Sequence, residues 1–138
     1  MAAADTITPL TINIPRDVKI RSAEKFNHTG VLLEPLAEYR FEVIGHHNWK
    51  DWFKKTDADG YDPCYLKPVW WLKRSRNQPW FKLMGAVGRD AREQFAIGKL
   101  NEHFQPTREG ELLCYANDAP FMYWNNCGSL TLRITRIR

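Results

Sequence analysis

The feature that most constrains the fold is a recurring alternation of apolar and polar residues, with hardly any helical periodicity. Successive side chains of a strand point to opposite faces of a sheet, so a period of two predicts half-buried strands. The pattern predicts strands at residues 6–14, 17–20, 39–43, 81–87, 111–116 and 129–137. Pro9 places the first strand at a sheet edge or a bulge, and the largely apolar run 81–87 predicts burial on both faces.

Turn residues such as Asp59-Gly60 separate these strands. Seven or eight short strands joined by turns predict an all-β fold, an antiparallel β-sandwich or jelly roll, as one domain over residues 1–138. In the last strand, the apolar face slips by one residue at Ile137, which predicts a bulge. Residues 46–80 lack the alternation; we expect a short helix at 49–55, and long loops on sandwiches often carry function.

The charge balance is mildly basic, with 20 Lys and Arg against 16 Asp and Glu. The basic stretch 67–76 is interleaved with aromatic residues, but acidic residues lie just upstream, so a solvated face is favoured and a nucleic-acid partner is not. No apolar run is long enough for a membrane helix. Because the N-terminus lacks the regions of a signal peptide, we expect a cytoplasmic protein, or one released without a signal peptide.

Several catalytic and metal-binding patterns are missing. The three cysteines are odd in number and widely spaced, which argues against a disulfide framework and predicts buried free thiols. His46 and His47 are adjacent, so on a strand they would point to opposite faces and could not easily hold one ion. His47 is instead a candidate to line a ligand site. No Gly-x-Ser-x-Gly motif is present, and we predict that the chain is not an enzyme.

The segment at residues 117–128 carries the strongest chemical pattern. Asp118, Asn125 and Asn126 supply hard oxygen donors in a loop between two predicted strands, and Gly128 lets the chain enter the last one. Calcium takes about six to eight oxygens from carboxylates, amides and backbone carbonyls. The alternative is an ordinary turn, since Asn, Asp and Pro are common turn residues.

The same segment resembles the calcium-dependent galactophilic lectins of bacteria, the PA-I lectin type, which have a jelly-roll sandwich. In that family a strand runs into Asn-Asp-x-Pro, then Tyr-x-Asn-Asn-x-Gly-Ser, and here the same pattern occupies residues 117–129 without a gap. Weaker similarity extends over residues 26–137. The resemblance implies a calcium ion held by Asp118, Asn125, Asn126 and the carbonyl of Met122. A further carbonyl would come from Trp52, or from Trp49 in another alignment.

In these lectins two sugar hydroxyls complete the shell of the ion, and residues matching Asp118 and Asn125 also bind them. The family's histidine and glutamine that fix a galactose hydroxymethyl group have no clear match here, so a galactose-like sugar is implied but its identity is open. Loop tryptophans, Trp49, Trp52 and Trp124 among them, either stack on sugar or plug the end of the sandwich.

Two other functions stay open at this stage. One is an accessory or interaction domain in which calcium is purely structural. The other is a basic surface that binds polyanions through residues 70–76. The sequence leaves the oligomeric state open, including a homo-oligomer.

Overall fold

The computed structural model describes residues 6–45, 48–52, 54–88 and 93–138. Its strands are β1 (Thr8–Pro9), β2 (Arg16–Arg21), β3 (Asn27–Leu33), β4 (Tyr39–Ile44), β5 (Trp49–Asp51), β6 (Lys54–Thr56), β7 (Leu83–Val87), β8 (Glu93–Ala96), β9 (Leu100–Phe104), β10 (Gly110–Ala116), β11 (Asn126–Cys127) and β12 (Ser129–Arg136). Two 3₁₀ helices are described, at Cys64–Leu72 and Tyr123–Asn125.

Two larger sheets form an antiparallel β-sandwich, as predicted. One has the order β1-β3-β10-β7-β8 and the other β2-β12-β4-β9. Every pairing in them is antiparallel except β1 with β3, and β1 lies at an edge, consistent with Pro9. The inner faces share one core: Val31, Leu112 and Leu83 belong to the first sheet, and Phe41 and Leu132 to the second.

The alternation predicts most of the main strands but not all of their details. β7 is buried at all five positions, as the apolar run indicates. The expected bulge in the last strand is wrong, because β12 pairs in continuous register with β2 and β4, and Ile137 lies after its end. Of the predicted buried free thiols, Cys114 is free and buried, Cys127 is free but exposed, and the side chain of Cys64 lies outside the described part of the structure.

A third, small sheet has the order β11-β5-β6. It replaces the helix predicted at 49–55, because β5 pairs with β11 from the far end of the chain and with β6. The only long helical segment is instead the 3₁₀ helix Cys64–Leu72, among the described residues, and it is kinked at Val69. In the same ranges there is no helix long and apolar enough to cross a membrane.

Candidate functional site

The segment between β10 and β12 is anchored by Asn117, which is fully buried. Its Nδ2 donates hydrogen bonds to the carbonyls of Ser75 and Pro79, at 2.8 and 3.0 Å, and its Oδ1 accepts one from the Ser75 N–H at 2.8 Å. Its backbone carbonyl accepts a hydrogen bond from the Phe81 N–H at 2.7 Å. Asn117 therefore ties the loop before β7 to the start of the candidate site.

Asp118 follows and begins a tight turn. Its Oδ1 accepts a hydrogen bond from the Ala119 N–H at 2.7 Å, and the Met122 N–H donates to the Ala119 carbonyl at 3.0 Å. The 3₁₀ helix Tyr123–Asn125 then leads directly into β11, which begins at Asn126. The turn is short enough to return Asn125 and Asn126 to the neighbourhood of Asp118, and the Asn126 side chain is close enough to lower the pKa of Asp118.

Three buried side-chain oxygens in the described part of the chain lack a hydrogen-bond partner: Asp118 Oδ2, Asn125 Oδ1 and Asn126 Oδ1. They belong to the three side chains that the sequence singles out as donors. Asn126 Nδ2 donates to the Ser22 carbonyl at 3.1 Å, which leaves its Oδ1 for another partner. Buried acceptors are seldom left unpaired, since each costs about 1–3 kcal/mol. A cation held by these oxygens would give all three a partner.

The site also concentrates negative charge. Burial, and then the negative charge of Asp51, raise the pKa of Asp118 to about 6, against the hydrogen bond from Ala119 and the contact with Asn126, which lower it. Burial likewise raises the pKa of Asp51, against the effect of a hydrogen bond that Tyr61 donates to its Oδ2 at 2.7 Å. Two carboxylates in a partly dehydrated site repel each other, and a bound cation reverses that balance.

Asp51 belongs to this site although nothing in the sequence pattern points to it. It lies opposite Asn126 in the pairing of β5 with β11. The predicted helix at 49–55 conceals this pairing, because it removes the strand that makes it. The only local signal is that Asp51 directly precedes Trp52, one of the residues that the lectin resemblance names.

Trp52 and Met122 are the residues whose carbonyls the resemblance assigns to the ion. Trp52 has a left-handed backbone with φ of 59°, and its N–H donates to the Asn125 carbonyl at 3.1 Å. The Met122 carbonyl accepts a hydrogen bond from the Asn125 N–H at 3.4 Å. Both residues thus contact Asn125, and both line one cavity together with Asp118. Of the two alternatives for the upstream carbonyl, Trp52 lines this cavity and Trp49 is not among its lining residues.

The prediction that Trp49 is a loop residue that binds a ligand is wrong, because Trp49 is a core residue. It is fully buried on β5, and its Nε1 donates to the Phe81 carbonyl at 2.8 Å. Its ring also packs edge-on against the Phe81 ring, with centroids 5.7 Å apart. Trp124 is 76% exposed beside Asn125, and His47 lies outside the described residues.

A cavity of about 420 Å³ opens on the candidate site. Asp51, Asp118 and Asn125 form much of the polar part of its wall, and Trp52 and Met122 also line it. The remainder includes Lys54 but is mostly apolar, and four of its residues come from the 3₁₀ helix Cys64–Leu72. The cavity is therefore open to a small molecule beside the candidate donors, whose unpaired oxygens are themselves buried.

The basic stretch at residues 67–76 is largely engaged within the protein. Lys73 is buried, its ammonium donates to the Gln78 carbonyl at 2.8 Å, and it lies 5.5 Å from the centroid of the Trp80 ring. The Arg74 guanidinium stacks over Tyr115, 3.5 Å from the ring centroid. These cations serve packing, which weakens the case for a polyanion site on this stretch.

Metal sites made only of His, Cys, Asp and Glu do not occur in the described ranges, where no group of three such residues could hold an ion. The candidate set is of another kind. It combines the carboxylate of Asp118 with amide and backbone oxygens, which is the donor chemistry that suits calcium.

The fold is similar to that of a solved structure described as "EclA N-terminal domain; PllA-like lectin". The TM-score is 0.64 at 18% sequence identity, and the match covers 87% of this chain and 94% of the other. No protein-family model matches the sequence, and no curated protein matches it either. At this level of identity the likeness establishes a lectin-like β-sandwich fold.

Proposed function

We propose that this chain is a calcium-dependent carbohydrate-binding domain with no catalytic role. The observation that carries the proposal is the set of three unpaired buried oxygens on Asp118, Asn125 and Asn126. Native proteins have about a few unsatisfied buried polar groups per hundred residues. In the described part of this chain, all the buried side-chain atoms without a hydrogen-bond partner belong to one loop. Their chemistry is that of hard, neutral or anionic oxygen donors, which favours calcium over a softer metal.

The ion would be held by these three side chains and by the carbonyls of Met122 and Trp52. Asp51 would add a second negative charge close by, held in place by its hydrogen bond from Tyr61. When bound, calcium supplies a hard cation on which a pair of sugar hydroxyls can replace water.

Two observations support a carbohydrate as the ligand. Asp118 and Asn125 line the cavity, although their unpaired oxygens are buried, and Trp52 and Phe121, 62% and 61% exposed, add aromatic surface to its wall for sugar C–H groups. The likeness to a protein described as a lectin agrees with this use of the fold. The resemblance in the sequence makes a galactose-like sugar the first candidate. If the chain were instead an accessory domain with a purely structural ion, we would expect the ion site to be closed to ligands.

The test is isothermal titration calorimetry on protein stripped of metal with a chelator. Calcium is titrated first, and a panel of methyl glycosides is then titrated with calcium or with chelator present. We expect one calcium per chain and sugar binding only when calcium is present. Asn125→Ala should weaken calcium binding at least tenfold, about 1.4 kcal/mol. The matched control is Asn101→Ala, because the Asn101 side chain bonds the Ala96 carbonyl away from the cavity.

Each alternative gives a different result. Calcium binding without any response across a glycan array would refute the sugar-binding role and favour a structural ion. Absence of calcium binding would refute the proposal altogether. Salt-sensitive binding to heparin that Asn125→Ala leaves unchanged would favour the polyanion interpretation.

A further inference from the structure

The exposed aromatic side chains are not scattered over the protein. In the described part of the chain, the large aromatic residues that are exposed come from three segments, and each of these segments also helps to line the cavity. These residues are Trp52, Tyr65, Trp70, Trp71, Phe121 and Trp124. Single exposed apolar residues are ordinary on a protein surface, whereas a concentration of them marks an interaction surface.

Trp70 and Trp71 do not belong to the cavity wall. In the longer 3₁₀ helix, the lining residues Leu66, Val69 and Leu72 recur at every third position, which is the period of such a helix. Trp70 and Trp71 fall outside this spacing and are 50% and 52% exposed. The helix therefore presents two adjacent tryptophan rings to solvent, on a side that the proposed sugar site does not use.

Positive charge lies beside this tryptophan pair. Residues 63–88 contain five Lys or Arg residues and no Asp or Glu. Two of these cations, Lys67 and Arg76, are exposed, and the Arg76 Nε donates a hydrogen bond to the Trp71 carbonyl at 3.1 Å. Lys67 lies three positions before Trp70, which places both residues on one side of the helix. The rings and the two cations therefore form one surface.

Backbone and side-chain contacts fix the segment that carries this surface. The Leu66 N–H donates to the Pro63 carbonyl at 3.1 Å, and the Lys73 N–H donates to the Trp70 carbonyl at 3.3 Å. The Lys73 ammonium is buried against the Gln78 carbonyl at 2.8 Å. Because the segment is ordered before any partner arrives, docking on it does not require ordering of the backbone.

The chemistry of this surface favours a lipid partner. Tryptophan rings are enriched at the level of lipid headgroups, and nearby Lys and Arg side chains are attracted to anionic lipids. Two exposed cations are few for a nucleic acid, whose affinity depends on several phosphate contacts. The carboxylates of Asp51 and Asp118 line the cavity, whereas Lys67 and Arg76 do not, so the charge of this surface complements an anionic one.

We propose that Lys67, Trp70, Trp71 and Arg76 form a docking surface for an anionic lipid membrane. The two tryptophan rings enter the headgroup region, and the two cations lie against lipid phosphate and carboxylate groups. This inference does not depend on the proposed calcium and sugar site, because that site is made of other residues. The docking surface should therefore act when no metal ion is bound.

The test measures sedimentation of the full chain with vesicles in chelator. One set of vesicles is phosphatidylcholine alone, and the other contains about 30% phosphatidylserine. We expect binding to the anionic vesicles to be about tenfold tighter or more than binding to the neutral ones. Tryptophan emission should shift to shorter wavelength and be quenched by lipids with brominated acyl chains, since the rings leave water.

Variants assign the binding to this surface. Trp70→Ala combined with Trp71→Ala should weaken binding to the anionic vesicles about tenfold or more, because it removes both rings. Lys67→Gln, which changes only an exposed charge, should weaken it about fivefold. The matched controls are Leu100→Ala and Lys19→Gln, an exposed apolar residue and an exposed cation on the second sheet. Both controls should bind as the native protein does.

The other outcomes overturn the proposal. Absence of binding to anionic vesicles, or equal losses in the controls, would exclude this surface as the docking site. Vesicle binding that requires calcium would assign it to the candidate ion site instead. Binding to heparin or to a single-stranded oligonucleotide, with none to vesicles, would favour a polyanion partner. Calorimetry with calcium and glycosides tests the proposed function separately, so either proposal can fail while the other stands.

Discussion

Replacing Asp118 by asparagine should stabilise the metal-free protein and remove its response to calcium. At neutral pH the folded, metal-free chain holds an ionised Asp118 that is only 3% exposed and faces the charge of Asp51. Asparagine keeps an oxygen that can accept the Ala119 N–H, as Asp118 Oδ1 does at 2.7 Å. Its amide nitrogen would replace Asp118 Oδ2, the oxygen that has no hydrogen-bond partner. The variant therefore loses a charge but keeps its packing.

The magnitude follows from the pKa. A rise from the ordinary value of 3.8 to about 6 means that the folded state holds the proton more tightly than the unfolded chain does. At about 1.36 kcal/mol per tenfold change in proton affinity, the ionised carboxylate costs the folded state up to about 3 kcal/mol above pH 6. We expect Asp118→Asn to raise the free energy of unfolding of the metal-free protein by about 1–3 kcal/mol.

The sign of the pH dependence is a further check. Between pH 6 and 3.8 the folded wild-type chain binds a proton that the unfolded chain does not, so the contribution of Asp118 to stability rises as the pH falls. The advantage of the variant should therefore be largest at about pH 7.5 and shrink through this window.

Urea unfolding in chelator and in calcium measures both effects. In chelator at about pH 7.5 the variant should have the higher midpoint, by about 1 M. In calcium at about a hundred times its Kd, the wild type should gain about 2.7 kcal/mol and the variant nothing. Asp17→Asn is the control, because Asp17 is exposed and paired with Arg133 at 2.9 Å. A variant less stable than the wild type in chelator, or one with an undiminished calcium response, would refute the reasoning.

Three further predictions concern the candidate ion site and the loop at residues 117–128. Asp51→Asn should weaken calcium binding about tenfold in calorimetry, because it removes a charge near the ion, while unchanged affinity would place Asp51 outside the site. Calcium affinity of the wild type should fall about tenfold for each pH unit below the pKa of Asp118, about 6, because binding must displace its proton; a flat profile from pH 7 to 5 contradicts this. Gly128→Ala should cost about 3 kcal/mol or more in urea unfolding, since φ is +91° and an added Cβ would lie 1.3 Å from the Asn48 carbonyl oxygen. The control is Gly45→Ala, because Gly45 has a φ of +69° but open space around it, and this variant should lower the free energy of unfolding by about 1 kcal/mol. If Gly128→Ala and Gly45→Ala lower it by similar amounts, the close backbone contact at Gly128 is not the cause.

Much of the candidate site could be predicted because its donors are close in sequence. Asp118, Asn125 and Asn126 lie within one short loop between two strands, so their spacing alone brings their oxygens near one another. The strands beside them were predictable for a related reason. In β4 and β12, the apolar residues of the alternating pattern are the ones that face the core. The buried side chains are those of Phe41, Leu130, Leu132 and Ile134.

The remainder depends on pairing between distant segments. Trp49 is a core residue because β5 pairs with β11, whose residues lie at least 75 positions further along the chain, and no local pattern indicates that partner. The 3₁₀ helix Cys64–Leu72 contains Pro68 and a kink at Val69, so its sequence shows no helical period that could have predicted it. Four of its side chains line the same cavity as Asp118 only because the fold brings the two segments together.

By itself, the sequence determined the all-β class and indicated which side chains of the loop at residues 117–128 are candidate oxygen donors, since side-chain alternation and the residues of one loop are local properties. Only the tertiary structure decided that these oxygens are buried without partners, that Asp51 faces them across β5 and β11, and that an apolar wall stands beside them. The physical reason is that burial and charge proximity arise from contacts between segments far apart in the chain, which no local pattern encodes.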